Sequence, residues 1–315
     1  DTAFTIDLGL DLAFDTDRRR TLLINCLPMG VTFQSDAVCV ANVSVREDMA
    51  CALVNQVGDM FEQIVLCGDP LFLKKLCDHS QDIGVDWRRH RLNVIVGEET
   101  FTESFRDYLA GVLGIDPDDP RSGMIGSSMG VGELGLNLFN ETRETVALRR
   151  ACARDPQLRE RLLGPTSASM PVPTFMVYSP LRTSVEILYT DDDGNGDLVV
   201  TLLDPIVPLP LMRYQTGDRA RFVSPTQLKQ LAEAIAPGFL PPALPVIALH
   251  GRSKDQLPGG GHVDTFKEAL YGSPAIARQL SGAHRISGAA NELCWQVQAA
   301  RGAEGNLPEL ASRLG

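Results

Sequence analysis

Apolar residues in the first hundred positions fall in short unbroken runs separated by stretches of helical period. Thr21–Cys26 (TLLINC), Gln63–Cys67 (QIVLC) and Leu92–Val96 (LNVIV) each read as a strand covered on both faces, the pattern of a parallel sheet. Between the first two, Ser44–Val57 repeats at helical spacing. After the third, Phe101, Phe105, Leu109, Val112 and Leu113 define one apolar helix face, and Thr100 to Glu103 has capping-box spacing. Asn140–Leu163 is charged and helical. The texture then changes to a run of strands, Thr174–Ser179, Ser184–Thr190 and Asp197–Leu203. The Pro-rich segment Ala236–Pro245 reads as a connector to a last strand, Val246–Leu249. Parallel βα units followed by a β meander predict an α/β fold, with mixed or parallel sheets, helices and a packed β subdomain.

The bulk properties narrow the function classes. The 315 residues are 44% hydrophobic and 22% charged, ordinary for a globular protein that buries a large core. A net charge of −11 argues against nucleic acid or an anionic membrane as a partner. No apolar run reaches the roughly 18 residues that a membrane helix needs. The seven cysteines form no C-x-x-C pair and sit mostly among apolar neighbours, which predicts buried free thiols in a reducing cytoplasm. The opening DTAFTIDLGLDLAFDTD has no initiator Met and is expected to lie inside a longer chain.

The chemistry turns on residues 124–135, MIGSSMGVGELG. Gly126-Ser127-Ser128-Met129-Gly130 is the G-x-S-x-G of a serine hydrolase elbow, with Asp255 and His284 following in the chain order such a triad needs. Against it, three glycines in 130–135 oppose the helix that should follow a nucleophile by roughly 1 kcal/mol each, and no HGGG-like segment lies upstream. The other reading is a nucleotide loop. Glycines let backbone N–H groups approach an anion, and Glu133 can hold Mg2+ against it. Two further segments suit a nucleotide. In Arg213-Tyr214-Gln215-Thr216-Gly217-Asp218 the carboxylate can accept both ribose hydroxyls. In Gly251-Arg252-Ser253-Lys254-Asp255 the guanidinium can donate to ribose or phosphate.

Together these residues resemble a family. GDLVVTLLDPIVPLPLMRYQTGDRA (196–220) is similar to the GELVxTxL…PLxRYRTGD segment of phenylacetate–CoA ligases and related acyl-adenylate-forming enzymes. GVDWRRHRLNVIVGEETFTESFRDYLAGVLGI (84–115) resembles their approach to a G-x-E loop and the next helix. Met129–Gly135 resembles their Y-G-x-[ST]-E-x-G, and Gly251–Asp255 their G-R-x-D-D. The resemblance implies ATP- and Mg2+-dependent activation of a carboxylic acid to acyl-AMP, with an aryl or arylacetic acid as the family's suggestion. Transfer to CoA or to the pantetheine of an acyl carrier protein would follow. It implies an adenylating core over 1–250, lacking its N-terminal part, and the start of a small mobile C-terminal domain over 251–315. A homodimer is compatible with it.

Carried over by position, Glu133 would hold Mg2+ near the phosphates. Asp218 would bind the ribose hydroxyls, and Arg252 the ribose or phosphate. Gly97, Glu98 and Glu99 would lie by the adenine or acyl pocket. Lys254 falls at the hinge between the two domains. Ser127 and Ser128 become loop residues donating to phosphate or carboxylate, followed by Met129 and Gly130. The departures are as specific. Met129 replaces the aromatic that packs on adenine, Gly132 replaces a hydroxyl residue, and Gln215 replaces an Arg. Neither the family's Ser/Thr/Gly phosphate loop nor its C-terminal lysine is found, since Lys267, the last lysine, comes too early. Missing chain explains this better than a divergent member with weakened adenylation. A non-catalytic nucleotide-binding relative, or one that uses an unusual nucleophile, stays open.

Other features have plainer readings. Asp191–Asp197 spaces acids like a calcium loop, but Leu202 stands where the twelfth-position Glu should be, so a solvated hairpin turn is expected. His250 reads as a strand-end histidine, and His262 as part of a flexible turn. Pro28-Met29-Gly30 follows a strand end, where it lines an acyl pocket or simply makes a tight turn. Arg143–Arg161 reads as a solvated helical face.

Overall fold

A computed structural model of the chain describes residues 2–28, 30–119, 121–165, 167, 170–203, 211–257, 261–289 and 292–303. These form two compact units, one built on residues 19–32, 40–125 and 254 onward, the other on 1–18, 33–39 and 126–253.

The first unit is the parallel α/β part. β1 (Thr21–Asn25), β3 (Gln63–Gly68) and β4 (Leu92–Val96) pair in parallel in the order β1-β3-β4, and β2 (Cys39–Asn42) flanks β1. Every residue of β1 and β3 is buried, as the unbroken apolar runs predict. The crossovers are α2 (Glu47–Val57), α3 (Pro70–Asp82) and α4 (Glu103–Leu113). Asp69 caps α3 by accepting from the Phe72 N–H at 2.9 Å, with Pro70 in the first turn, where no N–H is missed. α4 starts later than the sequence suggests. Thr102, not Thr100, is its N-cap, so the expected capping box does not form, although Phe101 is buried ahead of the helix. Gly114 at φ +71 closes α4 in the left-handed conformation.

After Lys254 come α9 (Val263–Tyr271), α10 (Pro274–Ala277) and the hairpin β12 (Leu280–Ala289) with β13 (Glu292–Ala299). Leu270, Tyr271, Ile276 and Leu280 lie in the same hydrophobic core as Leu66, Leu73, Phe105 and Leu109. Phe105 packs edge-on and Tyr108 tilted against the Tyr271 ring, at 4.7 and 5.5 Å between centroids.

The second unit is antiparallel. β5 (Ile125–Val131), β6 (Gly135–Asn140), β7 (Thr174–Tyr178), β8 (Thr183–Leu188), β9 (Gly196–Leu202), β10 (Tyr214–Val223) and β11 (Val246–Arg252) run in the order β5-β6-β7-β11-β10-β9-β8. α1 (Thr2–Phe14) lies against β6, where a Cβ at Gly9 would collide with the Asn137 amide. The single charged helix expected over 140–163 is two, α5 (Arg143–Arg154) and α6 (Pro156–Leu163). Pro156 cannot continue an i→i−4 ladder, and Asp155 turns the chain by accepting from the Gln157 and Leu158 N–H groups. The face is not wholly solvated, because Arg149 and Arg150 are buried with Leu148 and Cys152. Two short helices, α7 (Pro225–Gln230) and α8 (Ala232–Ile235), precede β11.

Candidate functional site

Asp218 stands on β10 directly across the antiparallel register from Arg252 on β11. Its carboxylate is 7% exposed, and its Oδ1 lies 3.5 Å from Arg252 Nε. The ladder on the other side of β10 breaks between Gln215 and Arg219, and the β11 side shifts register between Asp218 and Ala220. Gly217 at φ +84 makes this bulge, a conformation that a side chain would oppose. The bulged backbone is held by the Thr216 hydroxyl, which donates to the Leu198 carbonyl at 3.3 Å and accepts from the Asp218 N–H at 3.1 Å. Gln215, which replaces the resembled family's Arg, donates instead to Asp197 at 2.6 Å.

Glu133 sits at the tip of the β5–β6 hairpin, in a turn closed by the Leu134 N–H to the Val131 carbonyl at 2.9 Å. Gly135 beside it takes φ +111. The Glu133 carboxylate is the main reason the Tyr214 phenol, at the start of β10, is harder to ionise than usual, and Arg252 opposes the shift. Tyr214 is thus influenced by both Glu133 and Arg252, and Arg252 pairs with Asp218.

The glycine motif is a strand, and this corrects two expectations. Ser127 and Ser128 are not loop residues but lie in β5, paired with β6. The Ser127 N–H donates to buried Glu141 at 2.8 Å, and Glu141 in turn faces buried Arg149 at 3.7 Å. The Ser128 hydroxyl donates to Asn137 at 2.6 Å. A nucleophile elbow needs a strand–turn–helix, and here β6 follows β5, so the hydrolase reading of Ser128, Asp255 and His284 fails on its defining element. Met129 packs against the core of Leu134, Phe139 and Tyr178. A Cβ at Gly130 would come within 2.7 Å of the Gly135 carbonyl, so this glycine serves the hairpin's close approach.

The remaining candidates belong to the first unit. Gly97, Glu98 and Glu99 follow β4 at its C-terminal end, with Glu98 at φ +67. Lys267 of α9 lies 3.7 Å from Glu99 and 3.6 Å from Asp264, and donates to the Thr100 carbonyl at 3.1 Å. Pro28 and Gly30 flank a turn closed by Val31 N–H to Pro28 carbonyl at 3.2 Å, and Met29 lies outside the described residues. Lys254 is exposed in a short helical turn just after β11, at the point where the chain passes between the two units. His262 is no flexible turn residue. It is buried and caps α9, accepting from the Asp264 N–H at 3.1 Å. Sequence reasoning did not bring forward Tyr214, whose contact with Glu133 joins two segments 81 positions apart and leaves no periodic signal.

Asp191 holds the β8–β9 turn by accepting from the Asp193 and Asn195 N–H groups, and Arg219 lies 3.4 Å from it. Among the described residues no group of three or more His, Cys, Asp and Glu is arranged to hold a metal ion. The single carboxylate of Glu133 fits Mg2+ only in partnership with a nucleotide, the usual way that ion is bound. All seven cysteines are free, five of them buried. No helix among the described residues is long and apolar enough to cross a membrane.

The architecture matches the adenylating-enzyme fold. The chain is similar to solved 2-hydroxyisobutyryl-CoA ligase in the postadenylation state in complex with R3-HIB-AMP, with a TM-score of 0.60 at 12% identity over 98% of this chain. The same ligase in complex with 2-HIB-AMP gives the same values. Its open conformation with 2-HIB-AMP and CoA gives 0.50 at 13% identity over 98% of this chain and 64% of that one. The chain spans 62% of the length of the ligase in its postadenylation form. No family model and no curated protein sequence matches it.

Proposed function

We propose that the chain binds ATP and activates a carboxylic acid as its acyl-adenylate, as part of an acid–thiol ligase. The observation that carries this reading is the Asp218–Arg252 pair beside Glu133, in a fold shared with a ligase solved with acyl-AMP. Asp218 accepts the ribose hydroxyls and Arg252 neutralises charge on the ribose–phosphate side, both fixed before the nucleotide arrives. Mg2+, held through Glu133 and the phosphates, would supply charge neutralisation at the reacting phosphate. The acid's carboxylate oxygen attacks the α-phosphorus and pyrophosphate leaves. A thiol of CoA or of a carrier's pantetheine then attacks the acyl carbonyl and AMP leaves. Within the parallel unit, Gly97–Glu99 and the segment from Pro28 to Gly30 follow C-terminal ends of parallel strands, where such sheets take ligands. By the sequence resemblance Lys254 would serve as a hinge, although residues after it share the core of the parallel unit. The sequence resemblance suggests an aryl or arylacetic acid and is compatible with a homodimer, and the buried free thiols suit a reducing cytoplasm.

One observation favours a second reading, nucleotide binding without turnover. Ser128 is engaged by Asn137 and Met129 by the core, so β5 offers the phosphates few free donors. The two readings separate in ATP–pyrophosphate exchange across a panel of aromatic and aliphatic acids with Mg2+. Exchange that needs one acid and disappears in Glu133→Ala establishes adenylation. ATP binding with no exchange from any acid leaves only the binding reading.

A further inference from the structure

The turn after β4 is held in an unusual shape from outside its own segment. The Glu99 N–H donates back to the Gly97 carbonyl at 2.8 Å, and Glu98 between them takes φ +67. A three-residue turn with its central side chain at positive φ is rare and strained unless its surroundings impose it. Here they do, from α9. Lys267 Nζ donates to the Thr100 carbonyl at 3.1 Å and lies 3.7 Å from the Glu99 carboxylate, and its position is fixed by Asp264 one turn earlier at 3.6 Å. The lysine side chain is 19% exposed, so these contacts are only partly screened. A second tie runs alongside, since the Ser104 hydroxyl donates to the Glu268 carbonyl at 3.1 Å. Buried Tyr271 anchors the same helix between Phe105 and Tyr108. Nothing in the packing of α9 requires a lysine at 267. An apolar or neutral residue there would leave the aromatic anchor intact.

We propose that Lys267 is a positioning residue that holds Gly97–Glu99 in this turn, so that α9 sets the shape of the ligand side of the β4–α4 loop. That the loop meets a ligand rests on the function proposed above, but the positioning itself does not. A strained turn at the C-terminal end of a parallel strand, fixed by a cation from a later helix, is preorganised for binding and pays its ordering cost on folding. Release of Lys267 would let Glu98 relax to negative φ and would break the Glu99 to Gly97 bond.

The test is hydrogen exchange of the Gly97–Thr100 amides in the full ligand-free chain, comparing wild type, Lys267→Met and Lys267→Arg. The Glu99 amide should exchange about tenfold faster in Lys267→Met, the scale of losing a bond to a charged donor. Lys267→Arg should restore protection, and α4 and α9 should keep theirs. Unchanged protection at Glu99, or a rise spread equally over α4 and α9, overturns the proposal. Should Lys267→Met fail to fold, Glu99→Gln removes the loop-side carboxylate and leaves α9 intact. It should loosen the same amide, and protection as in wild type there also overturns the proposal. ATP affinity measured on the same proteins should fall several-fold in Lys267→Met. A wild type that binds no ATP would defeat the proposed function while the exchange result still decided the role of Lys267.

Discussion

Arg252 Nε lies 3.5 Å from Asp218 Oδ1, across adjacent strands and at the edge of the bulge that Gly217 makes. Asp218 is buried and Arg252 half exposed, so the pair presents its guanidinium outward and keeps its acid at fixed geometry. Hydrogen bonds to a charged group contribute about 1.5–3 kcal/mol each, and a ribose offers two hydroxyls. Asp218→Asn, which keeps shape and removes charge, should weaken ATP binding at least about tenfold by calorimetry. Affinity equal to wild type would remove Asp218 from the site.

Tyr214 stands on the same strand as Asp218, and Glu133 at the hairpin tip is the strongest influence on its phenol. An exposed turn carrying a lone carboxylate is loosely placed, and one bond to a phenol on a strand orients it. Tyr214→Phe should therefore reduce the gain in ATP affinity on adding Mg2+ several-fold while leaving affinity in EDTA unchanged. Glu133→Gln should abolish that gain, and Tyr214→Phe added to it should change nothing further. Independent, additive effects would show that the two residues do not act together.

Burial holds the thiols of Cys26 and Cys152 up at about 12 and that of Cys51 at about 11, and it raises Cys67 and Cys77 further still. Raising a thiol's pKa lowers its thiolate fraction, and the thiolate is the nucleophile. At neutral pH a thiol reagent should label only Cys39 and Cys294 in the native protein, and all seven after denaturation. Rapid native labelling of a third cysteine would show that one of the buried five opens to solvent.

The parallel strands were legible because a strand covered on both faces must be apolar throughout, and β1, β3 and β4 fall within a residue of the runs that predict them. Asp218 and Arg252 were legible for another reason: Gly217 and Gly251 mark turns beside charged residues. What the chain hid was context. Gly126–Gly130 has the spacing of an elbow, but its glycines serve the backbone approach of β6, which only the pairing shows. His262 is followed closely by Asp264, yet nothing local says that its ring would accept that residue's N–H and cap a helix. The contacts of Lys267 with Glu99 and of Tyr214 with Glu133 span long stretches of chain, and single-sequence periodicity carries no information at that range.

The first unit also contains a charge that the proposed chemistry does not use. Lys74 is fully buried, with its Nζ 2.6 and 2.7 Å from the two oxygens of Asp78 and 5.3 Å from the centre of the Tyr108 ring. Tyr108 donates to the same carboxylate at 3.3 Å, and burial followed by Asp78 raises its phenol and that of Tyr271. The two partners are not equivalent, because the Asp78 side chain is 35% exposed and the Lys74 side chain is fully buried. Removing the acid strands a buried ammonium, while removing the lysine leaves a carboxylate with water and a phenol. Asp78→Asn should therefore destabilise the chain by about 3 kcal/mol, toward the lower end of the range for breaking a buried pair. Lys74→Met, close in volume and free of charge, should cost under about 1.5 kcal/mol or stabilise it. Denaturant unfolding of both variants reads the difference directly, and equal losses would show that the pair contributes through packing alone.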